Sequence, residues 1–427
     1  MKSLPAWSWS IATNAINLGF GVGTGVLVAR LLGPGSRGEL AEVQFWAGAV
    51  AALGICSLPS ALSFFIARKE HQPSLAGSAI ALAIALACVS LFAGLVLLDV
   101  VVGPDLRHLA MLYLLFFVPA NFIGLTLVAI DQGNQHFARY NAFRLLPQAT
   151  YLISVLLLWH YAVLSIPALL AASWLGTFLV CLGRWQLARP NVTGAPNRSQ
   201  IAKLLKTGVA YHTTAFAGIL FQNADRLICV TYFTHEDLGR YAVALTISGA
   251  GLGLVSSATS IVLFPKLAAS HNTGTRRHLI RNALGASCVV ALMTNAAIAV
   301  IIPVVLPLLF GKAFAGAVPI AILLCFAQIP ASFVQTATVA LRALDDWRAG
   351  PYAQIMGLFA FAPTALLLVP RLGLDGIAIS LLLSQLAAAC LLLQRIQRSI
   401  GLKAFECLTP EMSWVASRLA WRSAQVS

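Results

Sequence analysis

The chain has 427 residues, of which 59% are hydrophobic and only 10% charged, with a formal net charge of +14. Soluble domains carry about 25% charged residues, so this composition excludes a soluble globular protein. Nearly the whole length falls into apolar runs of the ~20 residues that a helix needs to cross a bilayer, and no polar stretch is long enough for a separate soluble domain.

The N-terminus offers one lysine, Trp7 and Trp9, then a long apolar run without a small-residue cleavage site. The first helix therefore reads as retained rather than as a signal peptide, and the two tryptophans fit an interfacial belt. About twelve spans follow in order: 10–29, 41–65, 75–98, 109–130, 141–159, 162–183, 207–233, 240–264, 283–309, 314–341, 352–369 and 374–394. They are too long and too unbroken for barrel strands, so they read as helices. Pro119, Pro303, Pro307, Pro330 and Pro363 fall inside them and predict kinks.

Lysine and arginine set an orientation. The N-terminus, the even-to-odd loops and the tail hold 21 of them, and the opposite loops hold six: Arg30, Arg37, Arg107, Arg240, Lys312 and Arg371. The positive-inside rule then places both termini in the cytoplasm. The positive charge is accounted for by topology and by attraction to anionic lipid, with no call on nucleic acid.

The chain repeats itself. Ala29–Ala41 (ARLLGPGSRGELA) lies beside Val230–Ala242 (VTYFTHEDLGRYA) at an offset of 201, matching Gly38 with Gly239. A second match sets loop 4–5 against loop 10–11, with Phe137 opposite Trp347 at an offset of 210. Six spans per half means that both halves start on the same side, so the repeats are parallel. The expected organisation is an all-α polytopic membrane protein with two six-helix bundles, 1–200 and 201–395, around a central cavity. Residues 396–427 then form a cytoplasmic tail, where Met412, Trp414, Val415, Leu419 and Trp421 suit an interfacial helix.

The helices that open the two halves carry polar stripes. In helix 1, Ser10, Asn14, Asn17, Gly21 and Thr24 share a face; in helix 7, Gly208, His212, Ala215, Ile219, Gln222 and Arg226 do. Lipid penalises such stripes, so they face protein or water. Helix 1 reads equally as interhelical packing or as cavity lining. In helix 7 the full charge of Arg226 favours a cavity, although its depth of ~10 Å also permits snorkelling and Asp225 beside it is an available charge partner. Arg30 and Arg144 read first as interface anchors and second as cationic contacts at the mouths of the path. Asp99 and Asp131, near helix ends, read as solvated, which leaves Asp225 as the deep carboxylate. The eight cysteines show no paired spacing and read as small core residues, with neither disulfide nor metal framework. Gly19–Gly25 alternates glycine inside a span and is no nucleotide loop. No hydrolase or zinc motif is present, and the sequence calls for no cofactor.

Several stretches together resemble a known family. Ala29-Arg-Leu-Leu-Gly-Pro-Gly-Ser-Arg-Gly38 is similar to the ARxLGPxxxG signature of polysaccharide transporters. Gln132–Arg144 followed by Leu-Leu-Pro, Asp225-Arg226-Leu, Leu238–Ala242 and Phe264-Pro-Lys266 resemble later stretches of the same proteins, in the same order. The family is the polysaccharide (O-antigen type) flippase branch of the multidrug/oligosaccharidyl-lipid/polysaccharide exporter superfamily. The resemblance implies alternating access in a bacterial inner membrane, with an undecaprenyl-linked oligosaccharide as cargo, membrane lipids around it, and room for association with polysaccharide assembly enzymes. It implies that Arg226, with Gln222, His212, Asn14, Asn17, Arg30 and Arg144, meets an anionic head group, and that the protein is no enzyme. Two rivals stand beside it. A drug or small-solute exporter of the superfamily would want an unpaired intramembrane acid. A membrane-embedded polymerase or ligase would want a large external loop.

Overall fold

The computed structural model describes residues 6–69, 74–188, 194–250, 267 and 273–409, with side chains from Ala12 onward and, after the last gap, from Gly274. Trp7, Trp9 and Ser10 as side chains, the Phe264-Pro-Lys266 stretch, and the tail from Met412 to Trp421 lie outside these. Every described element is helical: α1 (Ala6–Gly54), α2 (Leu58–Ala67), α3 (Ser74–Val101), α4 (Pro104–Gly133), α5 (Phe137–His160) and α6 (Ile166–Ala188). Then come α7 (Arg198–Tyr232) and α8, helical over 235–250. The last are α9 (Thr273–Phe310), a 3-10 turn Lys312–Ala317, α10 (Val318–Ala343), α11 (Ala349–Leu372), α12 (Leu374–Ile400) and a short α13 (Ala404–Leu408). The expected apolar runs map onto α1–α12, the run 240–264 only as far as 250, where the described residues stop. Nine described helices are long and apolar enough to cross a membrane; α1 counts once although it holds one run and most of the next.

Two departures from the simple span list have local causes. The corner after the first run, expected as a loop over 30–40, is helical on both sides of a single break at Gly33 (φ 75°, ψ 176°). Positive φ is open to glycine without penalty, and Pro34, with φ already fixed and no N–H to leave unpaired, starts the second arm. The second departure is a break inside the second run. Cys56 and Ser57 take left-handed φ values of 49° and 50°, and Pro59 then sits in the first turn of α2. Such a conformation costs a non-glycine residue of order 1–3 kcal/mol, so the surrounding packing has to hold it.

By contacts the chain divides into two compact units, Met1–Ala242 and Val243–Ser427. In the first, α4 packs on α2, α3 and α6, α5 packs on α1 and α6, and α7 lies against α2 and α3. Leu40, Leu62, Leu98, Leu114, Phe122 and Leu127 are fully buried there. Close approach is built from small residues, as helices in lipid require: Gly176 of α6 lies against the backbone of Pro147 in α5. In the second unit α12 packs between α10 and α11, α9 packs on α10, and α13 docks on α9.

Each unit is pinned by the same kind of charged staple. In the first, Arg184 near the end of α6 places Nε 2.8 Å from Asp131 Oδ2 near the end of α4, with both side chains 2% exposed. Its Nη2 donates to the Leu127 carbonyl, and its guanidinium lies 5.5 Å from the centre of the Phe143 ring of α5. In the second, Arg395 of α12 pairs with Asp346, just beyond α10, at 2.9 Å and covers the Tyr352 ring of α11 at 4.8 Å. Arginine on the closing helix, aspartate two helices earlier and an aromatic ring on the helix between recur at near-constant offset. The expectation that Asp131 is solvated is therefore corrected. It is 1% exposed because Arg184, counted among the loop cations, turns inward to meet it. Cys407, within α13 at the start of the tail, is fully buried, in keeping with its reading as a small core residue.

Removing one partner of a buried pair costs about 3–5 kcal/mol, whereas an apolar replacement of both is often neutral. Asp131→Leu should therefore abolish monodisperse protein in detergent, and Asp131→Leu with Arg184→Leu should recover a large part of it, read by size-exclusion profile and melting temperature.

The α13 dock carries a pH dependence. The backbone N–H of Lys403 and then Arg277 hold the Glu406 carboxyl below its usual range of about 4.5, through contacts of 2.8 Å and 3.3 Å. A depressed folded-state pKa gives a stabilisation that is full above the unfolded value and lost as pH falls through the folded one. Glu406→Gln should accordingly raise maleimide labelling of Cys407 at pH 7, and hydrogen exchange in α13 should accelerate selectively as pH falls below the usual glutamate range.

Candidate functional site

Helix α7 carries three of the seven expected site residues, and its two ends differ. Near its start it is packed. Asn197 caps it through the Ser199 N–H, Gln200 meets Ser78 of α3, and Lys203 lies 4.5 Å from the Phe65 ring centre. Gly208 approaches so closely that a side chain would run into the carbonyl oxygen of Cys56. One turn on, His212 Nδ1 stands 3.4 Å from Ser57 Oγ. The start of the polar face thus closes over the break in the second run, and the irregular backbone there is covered by protein.

From Ala215 the same face opens. Gln222 and Arg226, one turn apart, are exposed. Arg226 lies six residues before the end of the helix, about 9 Å along its axis. Asp225, one position back and so about 100° round the helix, turns the other way. Its carboxylate is 5% exposed and accepts a 2.6 Å hydrogen bond from the Tyr241 hydroxyl of α8. Arg226 reaches it by charge attraction without an ion pair among the described residues. The exposed part of the face therefore has a simple chemical character: one cation with a neutral amide beside it.

The other candidates are spread over three stretches. Asn14 and Asn17 are partly buried on the first arm of α1, and the Oδ1 of Asn17 is sealed without a donor among the described residues. Thr24, the last member of that stripe, is buried and donates back to the Phe20 carbonyl. Arg30 is exposed just before the Gly33 break. Arg144 is exposed near the start of α5, 5.5 Å from the Tyr140 ring centre. Neither the histidine, acid and cysteine positions nor their groupings among the described residues could hold a metal ion.

The repeated corners meet each other. A side chain on Gly38 would collide with the carbonyl of His235, and one on Gly239 with the carbonyl of Pro34. Each carbonyl belongs to the residue four before the opposite glycine's counterpart, so the contact is reciprocal. It is locked on one side by His235 Nε2 and Glu42 Oε2, 2.7 Å apart, with Glu42 7% exposed. Sequence reading missed Glu42 and Asp131 as buried carboxylates because each depends on a partner far along the chain. In both corners the glycine match at 38 and 239 was the available signal.

Enlarging either glycine should part the corners. A disulfide formed between Glu42→Cys and His235→Cys should lose most of its yield when Gly38→Val or Gly239→Val is added, read by the gel shift of the oxidised protein.

Comparison with known proteins bears on the fold and family. The model of a family described as polysaccharide biosynthesis protein matches residues 3–271. No curated protein matches the sequence. A solved structure described as the inward-facing conformation of a multidrug resistance MATE family transporter of the MOP superfamily is similar over 92% of this chain and 98% of its own, with TM-score 0.77 and 14% identity. The lipid II flippase MurJ in an inward closed conformation is similar over 94% and 88%, with TM-score 0.75 and 14% identity. A MOP superfamily transporter from Pyrococcus furiosus, described as having a binding pocket of reverse polarity, is similar over 94% and 99%, with TM-score 0.61 and 16% identity. At these identities the likeness fixes the all-helical fold.

Proposed function

The chain belongs to the polysaccharide biosynthesis protein family and has the fold of MOP superfamily transporters, and on that premise we propose that it flips an undecaprenyl-linked oligosaccharide across a bacterial inner membrane. Both termini then lie in the cytoplasm, as the basic loops require, and transport runs from the cytoplasmic to the outer leaflet by alternating access between two six-helix halves. The observation that carries the reading is the open end of the α7 face, where Arg226 and Gln222 are uncovered while the adjacent acid is committed to Tyr241. A cation with a neutral hydrogen-bonding neighbour suits a pyrophosphate-linked sugar. The physical need for a protein is plain: each bare hydroxyl costs about 4–8 kcal/mol to move from water into hydrocarbon. A polar face that replaces water for the glycan, while the lipid tail stays in the bilayer, removes that cost.

The buried carboxylates favour this over export of a cationic drug. Asp131 is paired with Arg184, Glu42 with His235, and Asp225 with the Tyr241 hydroxyl. Among the described residues these three are therefore committed, and the partly buried Asp375 near the start of α12, whose Oδ1 has no partner, is the acid a cation exporter would have to use. The MurJ likeness supports a lipid-linked cargo, since that protein is itself described as a lipid II flippase. Flipping breaks and makes no covalent bond, so the reading needs neither a catalytic group nor a cofactor. Asn14, Asn17, Arg30, His212 and Arg144 remain assigned as further contacts along the path, and polysaccharide assembly enzymes as neighbours in the membrane.

In cells that depend on this chain for surface polysaccharide, Arg226→Ala should abolish polysaccharide display while membrane abundance stays at the wild-type level, and Arg226→Lys should retain partial display. Loss of abundance in step with display would assign Arg226 a structural role instead. Display at the wild-type level, with new sensitivity to cationic drugs, would favour an exporter.

A further inference from the structure

A second cation in the first unit has no ion pair among the described residues. Arg37, on the arm of α1 that follows Gly33, counts by sequence as one of the external-loop arginines. In the structure it is only partly exposed, and its Nε is sealed from solvent without a hydrogen-bond acceptor among the described residues. Its one described electrostatic partner is a phenol, Tyr151 of α5. Glu42, on the same arm, faces the other way and is committed to His235.

What surrounds Arg37 is a neutral polar network drawn from four helices. Gln44 lies seven residues on, two turns along the same helical face, and its side chain is hydrogen-bonded to Tyr151. Tyr113 of α4, 6% exposed, stands in electrostatic range of Tyr151 and shares a 3.2 Å hydrogen bond with Ser173 of α6. The network holds phenols, an amide and a hydroxyl, and it ends on a guanidinium. Packing alone does not call for it: a helix interface in lipid is satisfied by small residues and neutral hydrogen bonds. The sealed Nε of Arg37 is a donor without an acceptor among the described residues, and an anionic ligand would satisfy it. The guanidinium fork matches the two oxygens of a carboxylate or phosphate. With Gln44 donating its amide to the phenol oxygen, the Tyr151 O–H is left to donate to the same ligand.

We propose that Arg37, Tyr151 and Gln44 form an oxyanion site inside the first unit, separate from Arg226, which receives an acidic group of the transported head, either a sugar carboxylate or a phosphate. The identity of that ligand rests on the flippase reading. The binding of an oxyanion does not.

The test uses the full-length protein in detergent micelles, with thermal unfolding followed by tryptophan fluorescence. Sodium glucuronate, sodium phosphate and sodium chloride are compared at equal ionic strength. A ligand that binds only the folded state raises the melting temperature, so glucuronate, phosphate or both should raise it by a few degrees where chloride does not. Arg37→Gln should remove that rise while melting no lower than wild type without anion, because it deletes a charge that has no ion pair among the described residues. Tyr151→Phe should weaken the apparent affinity about tenfold, as expected for loss of one hydrogen bond to a charged group. If Arg37→Gln does not fold, Arg37→Lys, which keeps the charge and loses the fork, should show the weakened rise. A response to glucuronate alone would assign an acidic sugar, and a response to phosphate alone the lipid-linked phosphate. No rise with either oxyanion, an equal rise with chloride, or a rise that survives Arg37→Gln would overturn the site. Binding in micelles requires no transport. Intact binding in a protein that fails to support polysaccharide display would therefore count against the flippase reading and leave the site standing.

Discussion

A helix in hydrocarbon gains little by burying apolar surface against another helix, because lipid is already apolar. That constraint governs this chain. Its helices are held where backbones touch and where polar groups find one another, and these places are few enough to name. Gly176 on Pro147 and Gly208 on the Cys56 carbonyl are contacts of the first kind. The Arg184–Asp131 and Arg395–Asp346 staples are of the second. The two staples differ in burial, with side chains 2% exposed in the first unit and about 30% in the second (31% and 28%). The first is therefore the stricter requirement: a charge pair sealed in protein tolerates the loss of neither partner.

Much of the fold was legible in the sequence because it is written in local properties. Run length and hydropathy located most of the described helices, with the second run divided between α1 and α2, and the polar stripe of helix 7 marked a face that is indeed polar and partly open. What was not legible depended on partners far along the chain. Asp131 looks like a helix-end acid until Arg184 reaches it from 53 positions away. Arg37 counts as a topogenic arginine until the helix is seen to continue through Pro34 and carry it inward. The breaks at Gly33 and at Cys56–Ser57 were also hidden, the first behind a motif that reads as a loop, the second inside an apolar run. Proline and glycine announce a change of direction, but tertiary packing decides whether the chain unwinds or restarts.

The candidate site shows the same division. Residue type and spacing picked out His212, Gln222 and Arg226 as one face, and the structure separates them by environment. His212 belongs to a packed contact with Ser57, whereas Gln222 and Arg226 stand open. Asp225 and Arg226 are adjacent in sequence and diverge around the helix, so the acid is absorbed by Tyr241 and the base keeps its charge available. Adjacency in a helix is a poor guide to pairing. In the first unit the polar cluster around Tyr151 had no sequence signature, since it draws single residues from four helices.

The reciprocal corner contact has a consequence for how such a chain can change over generations. Two copies of one segment, each pressing a glycine on the other's carbonyl, behave like the self-matching face of a symmetric dimer sealed into a single polypeptide. Neither copy can gain bulk without pressing on the other's backbone, so a change at Gly38 bears on Gly239 and the reverse. The positions just before the second corner have no such tether. Arg226 aligns with Gly25 and stands exposed. The matched glycines hold the joint, and the exposed position is where the two segments differ in chemistry.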